Sequence, residues 1–448
     1  MLKNRLRLAN RRQLDAIDSI TEGWETEAGD FILPIVDGPP GTGKTTVGVL
    51  AAARYALENP KAQVVYLAYT NFAAEKARED FSALGFTSEH VVRITPNSRE
   101  KDWTKGVVGC NSDLTPLTPD ERRRLKSASI IISTLHSSGR AFGVFKKPLI
   151  IVDEFSQVSP ALYFSTLSKI RSTTTFNPAG YALLGDPNQL PVITSQPLLR
   201  PNIGSFIFSR KNYEPHRLNV QYRMTSGICT TVNALRKALN AYPLETHDSV
   251  ESRTLIDLGY SYDPDGARKD YQEILNPNNP LVVVDTDGLK GEEQIGFGNS
   301  IFYPEEARLA ANLARSFRRS FSKSDGTGLI ATILSPYNAQ IGSIQSCLKD
   351  RDVQSHCTTI YKSQGREYPC VIISFTRKNA SGNIGFLNRE ELRAQTYVAC
   401  SRAQVKLVIL MSISTFIGHG YKDFEYLWDS CRYAAVVKAG AEWGEKDD

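Results

Sequence analysis

The stretch Gly38-Pro-Pro-Gly-Thr-Gly-Lys44-Thr45 lies between a short apolar run, Phe31 to Val36, and a segment with helical spacing, Thr45 to Leu57. It matches the pattern G-x-x-x-x-G-K-[ST] of a phosphate-binding loop, which connects a strand to a helix. The glycines let backbone N–H groups face phosphates, the Lys44 ammonium reaches the β and γ oxygens, and the Thr45 hydroxyl binds Mg²⁺. The loop therefore predicts a nucleoside triphosphate site. Its predicted nucleotide-binding residues are Gly38, Pro39, Gly41, Thr42, Gly43, Lys44, Thr45 and Thr46.

Strand-like and helix-like segments alternate along the chain, which indicates β-α-β units and parallel sheets. This pattern occurs twice. The short apolar runs are Val64 to Leu67, Ile130 to Ser133, Leu149 to Val152 and Tyr181 to Leu184 in the first half, and Leu281 to Val284, Leu329 to Leu334, Cys370 to Ser374 and Lys406 to Met411 in the second. We therefore expect an α/β fold with two domains, residues 1–205 and 206–448, and a small insertion at about 97–127 in the first.

The composition is typical of a globular protein in water, with 41% hydrophobic and 23% charged residues among 448. It excludes extensive disorder and fibrous repeats. No run approaches the about 18 apolar residues that a membrane span needs. The seven cysteines are scattered without a C-x-x-C pair, which favours a reducing intracellular compartment, cytoplasmic or nuclear, and no structural zinc. The net charge of +5 permits a polyanionic partner without requiring one.

Two further runs of the first half end in acids. Leu149-Ile-Ile-Val is followed by Asp153 and Glu154, as expected where a buried strand delivers carboxylates to the edge at which ligands bind. Asp153 would share the Mg²⁺ shell with Thr45, and Glu154 would orient and deprotonate an attacking water. The alternative is that the two acids only begin a helix. The later run ends in Asp186-Pro-Asn-Gln189, whose amide would sense a γ-phosphate or belong to an ordinary turn.

Small polar residues end three other predicted strands. Thr70 and Asn71 follow one, Thr134 ends another, and Pro336 and Tyr337 follow a third. Such groups hold phosphates without reading bases, and Tyr337 offers a stacking surface. The alternatives are helix caps for the threonines and core packing for the tyrosine. The sequence contains no zinc finger, RNA-recognition motif or basic-aromatic platform, so we expect single-stranded RNA or DNA to be bound without base specificity.

Three motifs of the second half, in their order along the chain, resemble those of superfamily 1 helicases. They are Gln221-Tyr-Arg223-Met224, Ser363-Gln364-Gly365-Arg-Glu367 and Val398-Ala-Cys-Ser-Arg402-Ala403. Within the superfamily, the chain looks most like the 1B branch that includes the RNA helicase of nonsense-mediated decay. The likeness extends to Val91-Val-Arg-Ile with Ser98-Arg-Glu and to Ile384-Gly-Phe-Leu-Asn388. It covers about Leu8 to Met411.

The resemblance implies two tandem RecA-like domains and nucleotide contacts beyond the phosphate loop. By this likeness, Gln13 is the adenine-reading glutamine and Gln189 is the γ-phosphate sensor. Glu306 and Glu367 look like ribose or interdomain contacts, and Gly365 looks like a nucleotide-binding residue. The alternative for Gln13 is an ordinary position on a helix surface.

The resemblance also implies two arginine fingers, Arg223 and Arg402, supplied by the second domain. An arginine that reaches across a cleft stabilises charge on the transferring phosphoryl group. The alternative for either residue is a surface salt bridge. The chain departs from the family where Tyr361 and Ser363 stand near the usual places of an aspartate and an aromatic residue. Strand contacts of that loop are therefore not carried over.

The sequence as a whole predicts an ATP hydrolase. We expect an ATP- and Mg²⁺-dependent helicase or translocase, monomeric and without a membrane partner, that moves 5′ to 3′ on single-stranded RNA or DNA. The alternative is a nucleotide-gated RNA-binding clamp or remodelling factor that unwinds little. A P-loop kinase or GTPase would leave the second β-α-β series unexplained. The 37 residues before the loop have no room for the regulatory domain and accessory barrel of the resembled family, so we expect a reduced motor or a fragment.

Overall fold

The described part of the chain forms two compact units. In this computed structural model the described residues are 1–22, 33–95, 102–109, 118–137, 148–171, 180–192, 194, 196, 201–208, 214–389, 393–431 and 434–445. Unit 1 consists of Met1–Pro187 and Pro191–Asn219, and unit 2 of Asn188–Leu190 and Val220–Asp448. The chain thus passes into unit 2 after Asn219, which is later than the predicted division between residues 205 and 206.

Unit 1 contains eight strands and seven helices in its described residues. The strands are β1 (Ile35–Asp37), β2 (Val64–Ala68), β3 (Val91–Thr95), β4 (Val107–Gly109), β5 (Ile130–Thr134), β6 (Leu149–Asp153), β7 (Gly180–Gly185) and β8 (His216–Arg217). The helices are α1 (Leu2–Leu8), α2 (Arg11–Thr21), α3 (Lys44–Glu58), α4 (Asn71–Ala83), α5 (Pro119–Ser127), α6 (Pro160–Arg171) and α7 (Ile203–Phe208).

The strands of unit 1 form one sheet in the order β4-β3-β5-β2-β6-β7-β1-β8, and every neighbouring pair is parallel. Both faces of the sheet are buried. Successive residues of a strand point to opposite faces, and Ile35 and Val36 belong to different hydrophobic clusters. Such strands read as continuous apolar runs in a sequence. The sheet brings the loop after β1 and the acids after β6 to one edge. Strand β7 separates β1 from β6, which is the RecA-like order.

Residues of the predicted insertion contribute to this sheet. Strand β4 pairs with β3 at the sheet edge, and α5 places the fully buried Leu125 in the core. Residues 97–101 and 110–117 of the predicted insertion lie outside the described residues. The same holds for Phe31 and Ile32 of the first predicted strand and for Ser98–Glu100 of the family likeness.

Unit 2 contains twelve strands and nine helices in its described residues. The strands are β9 (Val220–Gln221), β10 (Glu245–Thr246), β11 (Ser261–Tyr262), β12 (Leu281–Asp285), β13 (Gln294–Ile295), β14 (Ile301–Phe302), β15 (Phe321–Ser322), β16 (Thr332–Ser335), β17 (Cys357–Thr359), β18 (Tyr368–Ser374), β19 (Ala403–Met411) and β20 (Ala435–Lys438). The helices are α8 (Ser226–Ala238), α9 (Asp248–Glu251), α10 (Gln272–Leu275), α11 (Pro304–Ser320), α12 (Asn338–Cys347), α13 (Arg351–Ser355), α14 (Ala394–Cys400), α15 (Ile413–Phe416) and α16 (Lys422–Cys431).

Unit 2 is built around a second parallel sheet, in the order β17-β16-β18-β19-β12-β20. Helix α11 covers one face of it. Its residues Leu309, Leu313 and Phe317 are spaced four apart, so they lie on one side of the helix, and each is fully buried. The predicted fold class, α/β with two parallel-sheet domains, is therefore confirmed. No helix in the described ranges is both long enough and apolar enough to cross a membrane.

Candidate functional site

The phosphate loop connects β1 to α3 in unit 1, and its shape depends on glycine. Gly41 and Gly43 both have φ of 80°, in the left-handed region that favours glycine. A Cβ at Gly43 would lie 2.7 Å from the side-chain nitrogen of Gln13. A Cβ at Gly38 would lie 2.7 Å from the Cβ of Lys44. The loop therefore folds back closely on its own lysine and on helix α2.

The N-terminus of α3 is open to an anion. The helix begins at Lys44, and its capping residue, Gly43, has no side chain to bond the first-turn N–H groups. Such groups, together with the helix dipole, favour a phosphate at this end. Thr45 is half-buried and Thr46 is exposed in this first turn. The backbone here has the donors that the phosphate-loop prediction requires.

Three predicted residues meet beside the loop. The Lys44 ammonium donates a hydrogen bond to Glu154 Oε2 and lies 4.0 Å from Asp153 Oδ1. None of the three side chains is more than 14% exposed. Burial disfavours the charged amine, but the Glu154 and Asp153 carboxylates outweigh it and raise the pKa of Lys44. A phosphate that enters the loop would compete with Glu154 for this cation.

Asp153 accepts three hydrogen bonds. Thr45 Oγ1 donates to its Oδ2 at 3.0 Å, Tyr66 Oη donates to the same atom at 2.8 Å, and the Glu154 N–H donates to Oδ1 at 2.8 Å. Burial and the Glu154 charge raise the pKa of Asp153, while Lys44 opposes them. A hydroxyl and a carboxylate oxygen side by side are ligands that Mg²⁺ prefers. Thr45 and Asp153 thus fit the predicted metal position.

The turn after β6 explains why two consecutive acids face one lysine. In an extended strand, neighbouring side chains point to opposite faces. Glu154, however, has a φ of 62°, which a non-glycine residue adopts only at a cost of about 1–3 kcal/mol. The chain then enters a short 3-10 turn, Phe155–Gln157. This conformation directs both Asp153 and Glu154 at Lys44.

Gln13 braces the loop from α2. Its Oε1 accepts from the Asn10 N–H at 3.0 Å, which closes a capping box at the start of the helix. Its Nε2 donates to the Thr42 carbonyl at 2.9 Å. The side chain therefore lies beside the loop, as its predicted role requires, although both ends of the amide are engaged within the protein.

Gln189 and Glu306 lie in unit 2. Gln189 belongs to Asn188–Leu190, the short segment that groups with this unit, and its Oε1 accepts from Gln364 Nε2 at 3.4 Å. Glu306 is fully buried and accepts from Ser374 Oγ at 2.6 Å and from the Thr376 N–H at 2.8 Å. Glu306 therefore has no exposed atom for a ribose or interdomain contact in this arrangement.

Arg223 and Glu367 form an ion pair within unit 2. Arg223 Nε lies 2.5 Å from Glu367 Oε2, and Arg223 Nη1 donates to the Ser401 carbonyl at 3.1 Å. Burial opposes the charge on Glu367, but Arg223 outweighs it and lowers the pKa of Glu367. Glu367 lies two residues after Gly365, whose φ of 78° is in the left-handed region that favours glycine. Because Arg223 contacts both Glu367 and Ser401, the three predicted motifs of unit 2 meet at this place.

Arg402 is only 2% exposed, which makes it more buried than the other two cationic residues of the predicted site, Lys44 and Arg223. Its Nε donates to the Val398 carbonyl at 3.0 Å, its Nη1 to the Arg366 carbonyl at 3.1 Å, and its Nη2 to Ser401 Oγ at 3.2 Å. The surface salt bridge considered for this residue is excluded by its burial. To reach a phosphate, the guanidinium would have to leave these three acceptors.

The predicted strand-end contacts of unit 1 are partly used by the fold. Thr70 Oγ1 accepts from the Ala73 N–H at 3.1 Å and so caps α4, while Thr70 and Asn71 both remain exposed. Thr134 is 4% exposed, and its hydroxyl is bonded to Ser137 Oγ at 3.0 Å. The exposed pair at the start of α4 is therefore the accessible part of this predicted surface.

Tyr337 is core packing rather than a stacking surface. It is 4% exposed, its ring centroid lies 4.8 Å from that of Phe386, and its hydroxyl accepts from Arg377 Nη1 at 3.3 Å. Pro336, before it, is half-buried. The expectation that Tyr337 stacks on a base is wrong for this arrangement, because no face of the ring is open.

Sequence reasoning did not identify Tyr66 as part of the site. It lies in the middle of β2 and reads as one more buried strand residue. Burial and the Asp153 charge raise the pKa of Tyr66 well above its ordinary value, so its hydroxyl stays a donor to that carboxylate. The sequence signal that could have found it is a polar aromatic in the strand next to an acid-ended one.

The fold and this cluster define a P-loop α/β protein with a nucleotide site at the carboxyl edge of its first sheet. A family profile described as "AAA domain" matches residues 9–241, and a second profile of the same description matches residues 205–414. The first match spans more than half of the chain and includes the phosphate loop and both acids. The chain therefore belongs to the AAA domain family.

The curated proteins that this chain resembles include several named as helicases. It is 26% identical over 404 residues to the human DNA replication ATP-dependent helicase/nuclease DNA2, covering 84% of this chain and 35% of that protein. The Arabidopsis thaliana DNA replication ATP-dependent helicase/nuclease JHS1 is 26% identical over 407 residues, covering 87% and 27%. A solved complex of the Arterivirus nonstructural protein 10 helicase with DNA aligns at 13% identity and a TM-score of 0.44, covering 89% and 62%.

The chain spans about a third, or less, of the length of these two curated relatives. Their names agree with the predicted likeness to superfamily 1 helicases and with the use of ATP. The finer assignment, to the branch of the nonsense-mediated-decay helicase, stays a prediction.

Proposed function

We propose that this chain is the motor of an ATP-dependent nucleic-acid helicase or translocase of superfamily 1B. The observation that carries the proposal is the cluster beside the phosphate loop, where Lys44 bonds Glu154 and lies 4.0 Å from Asp153. A lysine for phosphates, a metal-ligating aspartate and a glutamate for water are the parts that phosphoryl transfer to water requires. The second parallel-sheet unit and the helicase names of the relatives support a motor rather than a simple hydrolase.

Each residue of the cluster has a distinct task in this proposal. Lys44 exchanges its bond with Glu154 for bonds to phosphate oxygens, which frees the Glu154 carboxylate to orient a water and accept its proton. Thr45 and Asp153 hold Mg²⁺, which neutralises charge on the phosphates when it is bound. Arg223 of unit 2 supplies a second cation to the transferring group, which makes hydrolysis depend on how the units close.

The polymer is single-stranded nucleic acid, bound through phosphate and sugar without base specificity. The exposed Thr70 and Asn71 at the start of α4 are the unit 1 contacts in this proposal. Because the curated relatives are named as DNA replication helicases, single-stranded DNA is the first polymer to test. RNA remains the comparison that the sequence resemblance calls for.

The experiment is the rate of ATP hydrolysis with and without single-stranded DNA and RNA of equal length. We expect several-fold stimulation by at least one polymer and none in Lys44→Ala, which lacks the phosphate-binding cation. Tight strand binding with no stimulated turnover would favour the alternative, a nucleotide-gated clamp. Absence of both binding and stimulation would exclude the motor.

A further inference from the structure

The aromatic residue exposed at the strand ends of unit 2 is not the one expected from the sequence. Tyr337 is 4% exposed, whereas Phe297 is 101% exposed. Phe297 is also the most exposed large hydrophobic residue in the described part of the chain, and Ile295, two positions earlier, is 75% exposed. A ligand that covers such an apolar tip removes apolar surface from water, which favours binding.

Phe297 is held at the tip of an ordered hairpin. Strands β13 and β14 pair antiparallel, and the Gly296 N–H donates to the Ser300 carbonyl at 2.7 Å across the turn. Gly298 and Asn299 have φ of 66° and 59°, values that a tight turn requires and that these residue types tolerate. The ring therefore projects from a defined turn rather than from a long loop.

Two sets of contacts seat the hairpin on the body of unit 2. The Ala339 N–H, in the first turn of α12, donates to Ser300 Oγ at 3.0 Å. At the base, Glu293 accepts from Arg377 Nε at 2.8 Å and Nη2 at 2.7 Å, and also from the Lys378 N–H at 2.8 Å. The hairpin is thus fixed to the segments that follow β16 and β18.

These segments lie at the edge of the sheet where ligands bind. Strands β12, β16 and β18 belong to one parallel sheet, so their carboxyl ends share an edge. The hairpin follows β12, helix α12 follows β16, and Arg377 follows β18. The hairpin that carries Phe297 therefore contacts the first turn of α12, which begins directly after Pro336 and Tyr337, the predicted strand-contact segment.

Unit 1 also has an exposed phenylalanine close to its own predicted strand-contact residues. Phe72 lies in the first turn of α4, directly after the carboxyl end of β2 and the exposed Thr70 and Asn71. Its side chain is 51% exposed. Each unit thus presents one phenylalanine ring next to its own predicted strand-contact residues.

We propose that Phe72 in unit 1 and Phe297 in unit 2 are stacking contacts for bases of a bound single strand. The proposal rests on the proposed function and adds base contacts to the phosphate and sugar contacts named there. Every base has a π-face, so stacking on an aromatic ring strengthens binding without reading sequence. It also gives the exposed apolar tip an occupant of matching chemistry.

The test compares oligothymidylate with an abasic oligomer of the same length, which has the same phosphates but no bases. Binding of each fluorescent oligomer is measured by anisotropy for the wild type, Phe72→Ala, Phe297→Ala and Phe297→Tyr. Phe164→Ala is the matched control, since Phe164 is 52% exposed on α6, a helix that carries none of the predicted strand-contact residues.

We expect each stacking-site alanine variant to lower affinity for oligothymidylate by about 5- to 150-fold, with little change for the abasic oligomer. Phe297→Tyr should keep most of the affinity, and Phe164→Ala should match the wild type on both. Unchanged affinity for oligothymidylate, or equal losses on both oligomers, would overturn the proposal. Loss of self-association in Phe297→Ala without loss of strand binding would overturn it too, because the tip would then contact a second copy.

Strand-stimulated ATP hydrolysis of the wild type, measured in parallel, separates the two proposals. If hydrolysis is stimulated while both alanine variants bind oligothymidylate normally, the motor stands and the stacking contacts are refuted. If the wild type binds neither oligomer and hydrolysis is not stimulated, the proposed function fails as well.

Discussion

At the scale of single residues, the site is organised by one buried ion pair. Lys44 and Glu154 are each bonded to the other, and both are nearly excluded from water. A buried charge that loses its partner is costly in free energy, so the Lys44 ammonium and the Glu154 carboxylate each need a partner of opposite charge or a hydrogen-bond partner. In the proposed mechanism, an incoming phosphate takes the place of Glu154 as the partner of Lys44, and this exchange releases Glu154 for catalysis.

Two substitutions should separate nucleotide binding from hydrolysis. Lys44→Ala removes the cation that meets the phosphates, so nucleotide binding or turnover should be abolished. Glu154→Gln should keep binding and lose hydrolysis, because an amide cannot accept the proton of the attacking water. Fluorescent-nucleotide titration and phosphate release measure the two steps. Glu58→Gln, at an exposed glutamate on α3, is the control. Near-native hydrolysis in Glu154→Gln would mean that the base lies elsewhere.

Alanine variants of the two predicted arginine fingers should both lose activity but should differ in thermal stability. Arg223→Ala and Arg402→Ala should each lower kcat by roughly 10³ or more and leave strand affinity largely intact, because a finger acts on the transition state. Arg402→Ala should also lower the unfolding temperature, since it removes the donor from the Val398 carbonyl and Ser401 Oγ, which are buried, and from the Arg366 carbonyl. Steady-state hydrolysis, strand anisotropy and thermal unfolding are the measurements. An equal loss of strand binding in both variants would point to a nucleic-acid role instead.

The buried carboxyl of Glu306 should make the stability of the protein depend on pH. Burial raises the pKa of Glu306 to about 7, from an ordinary 4.5. Since the pKa of Glu306 is higher in the folded protein, folding favours its protonated form. The contribution of Glu306 to the free energy of unfolding is therefore full below pH 4.5 and is lost as pH rises through about 7. Glu306→Gln stays neutral and keeps an acceptor for the Thr376 N–H. In denaturant titrations at a series of pH values, the Glu306→Gln variant should therefore lack this part of the pH dependence of the unfolding free energy. Identical pH dependence of the unfolding free energy in the wild type and in Glu306→Gln would contradict the assignment of this effect to Glu306.

At the scale of elements, the loop, a helix start and a strand turn create the site together. The loop brings N–H groups to the start of α3, and the turn at Glu154 aims two acids at the lysine. Each depends on backbone conformations with positive φ, at Gly41, Gly43 and Glu154. Only glycine adopts such values without cost, so Glu154 is held there by its surroundings.

Gly43→Ala should therefore impair nucleotide binding while leaving the domain folded. The added Cβ would meet the Gln13 side chain at 2.7 Å, at a φ of 80°, so the loop has to shift from its phosphate-binding shape. We expect about a 5- to 150-fold loss of nucleotide affinity for a strain of 1–3 kcal/mol. The control is Gly342→Ala in α12, where a Cβ meets open space. That change should stabilise the fold by about 0.5–1 kcal/mol and leave nucleotide affinity unchanged. Equal nucleotide affinity in the two variants would refute the strain argument.

At the scale of the whole molecule, two units with parallel sheets fit a motor in which nucleotide binding and strand binding are coupled. Movement in one direction requires that the grip of one unit on the strand alternates with that of the other. Which unit holds tightly with ATP bound is not encoded in the motifs. The proposed polarity of 5′ to 3′ therefore depends on the likeness to superfamily 1B.

Polarity is tested with duplexes that carry a single-stranded tail at the 5′ or the 3′ end. With ATP, we expect strand separation only of the 5′-tailed duplex, because a motor of this branch loads on that tail and moves towards the junction. Release of a fluorescent strand is the measurement, and Lys44→Ala is the control. Opening of only the 3′-tailed duplex would refute the branch assignment.

Much of the architecture was predictable from the sequence because its signals are local. Strands buried on both faces appear as continuous apolar runs, such as Leu149 to Val152, and a phosphate loop needs its glycines and lysine in one short segment. The meeting of Lys44 with Asp153 and Glu154 could also be predicted, since parallel strands end at one edge. These features depend on residues close in the chain or on a general rule of sheet topology.

The tertiary structure alone decided which of the predicted side chains are accessible. Tyr337 and Arg402 lie in motifs that suggest contact with ligands, yet packing encloses both, while Phe297 carries no motif and is fully exposed. Burial depends on neighbours far away in the chain, and no local pattern records them. The sequence by itself therefore determined the fold class, the loop and the pair of acids, and long-range packing determined which rings and guanidiniums can reach a ligand.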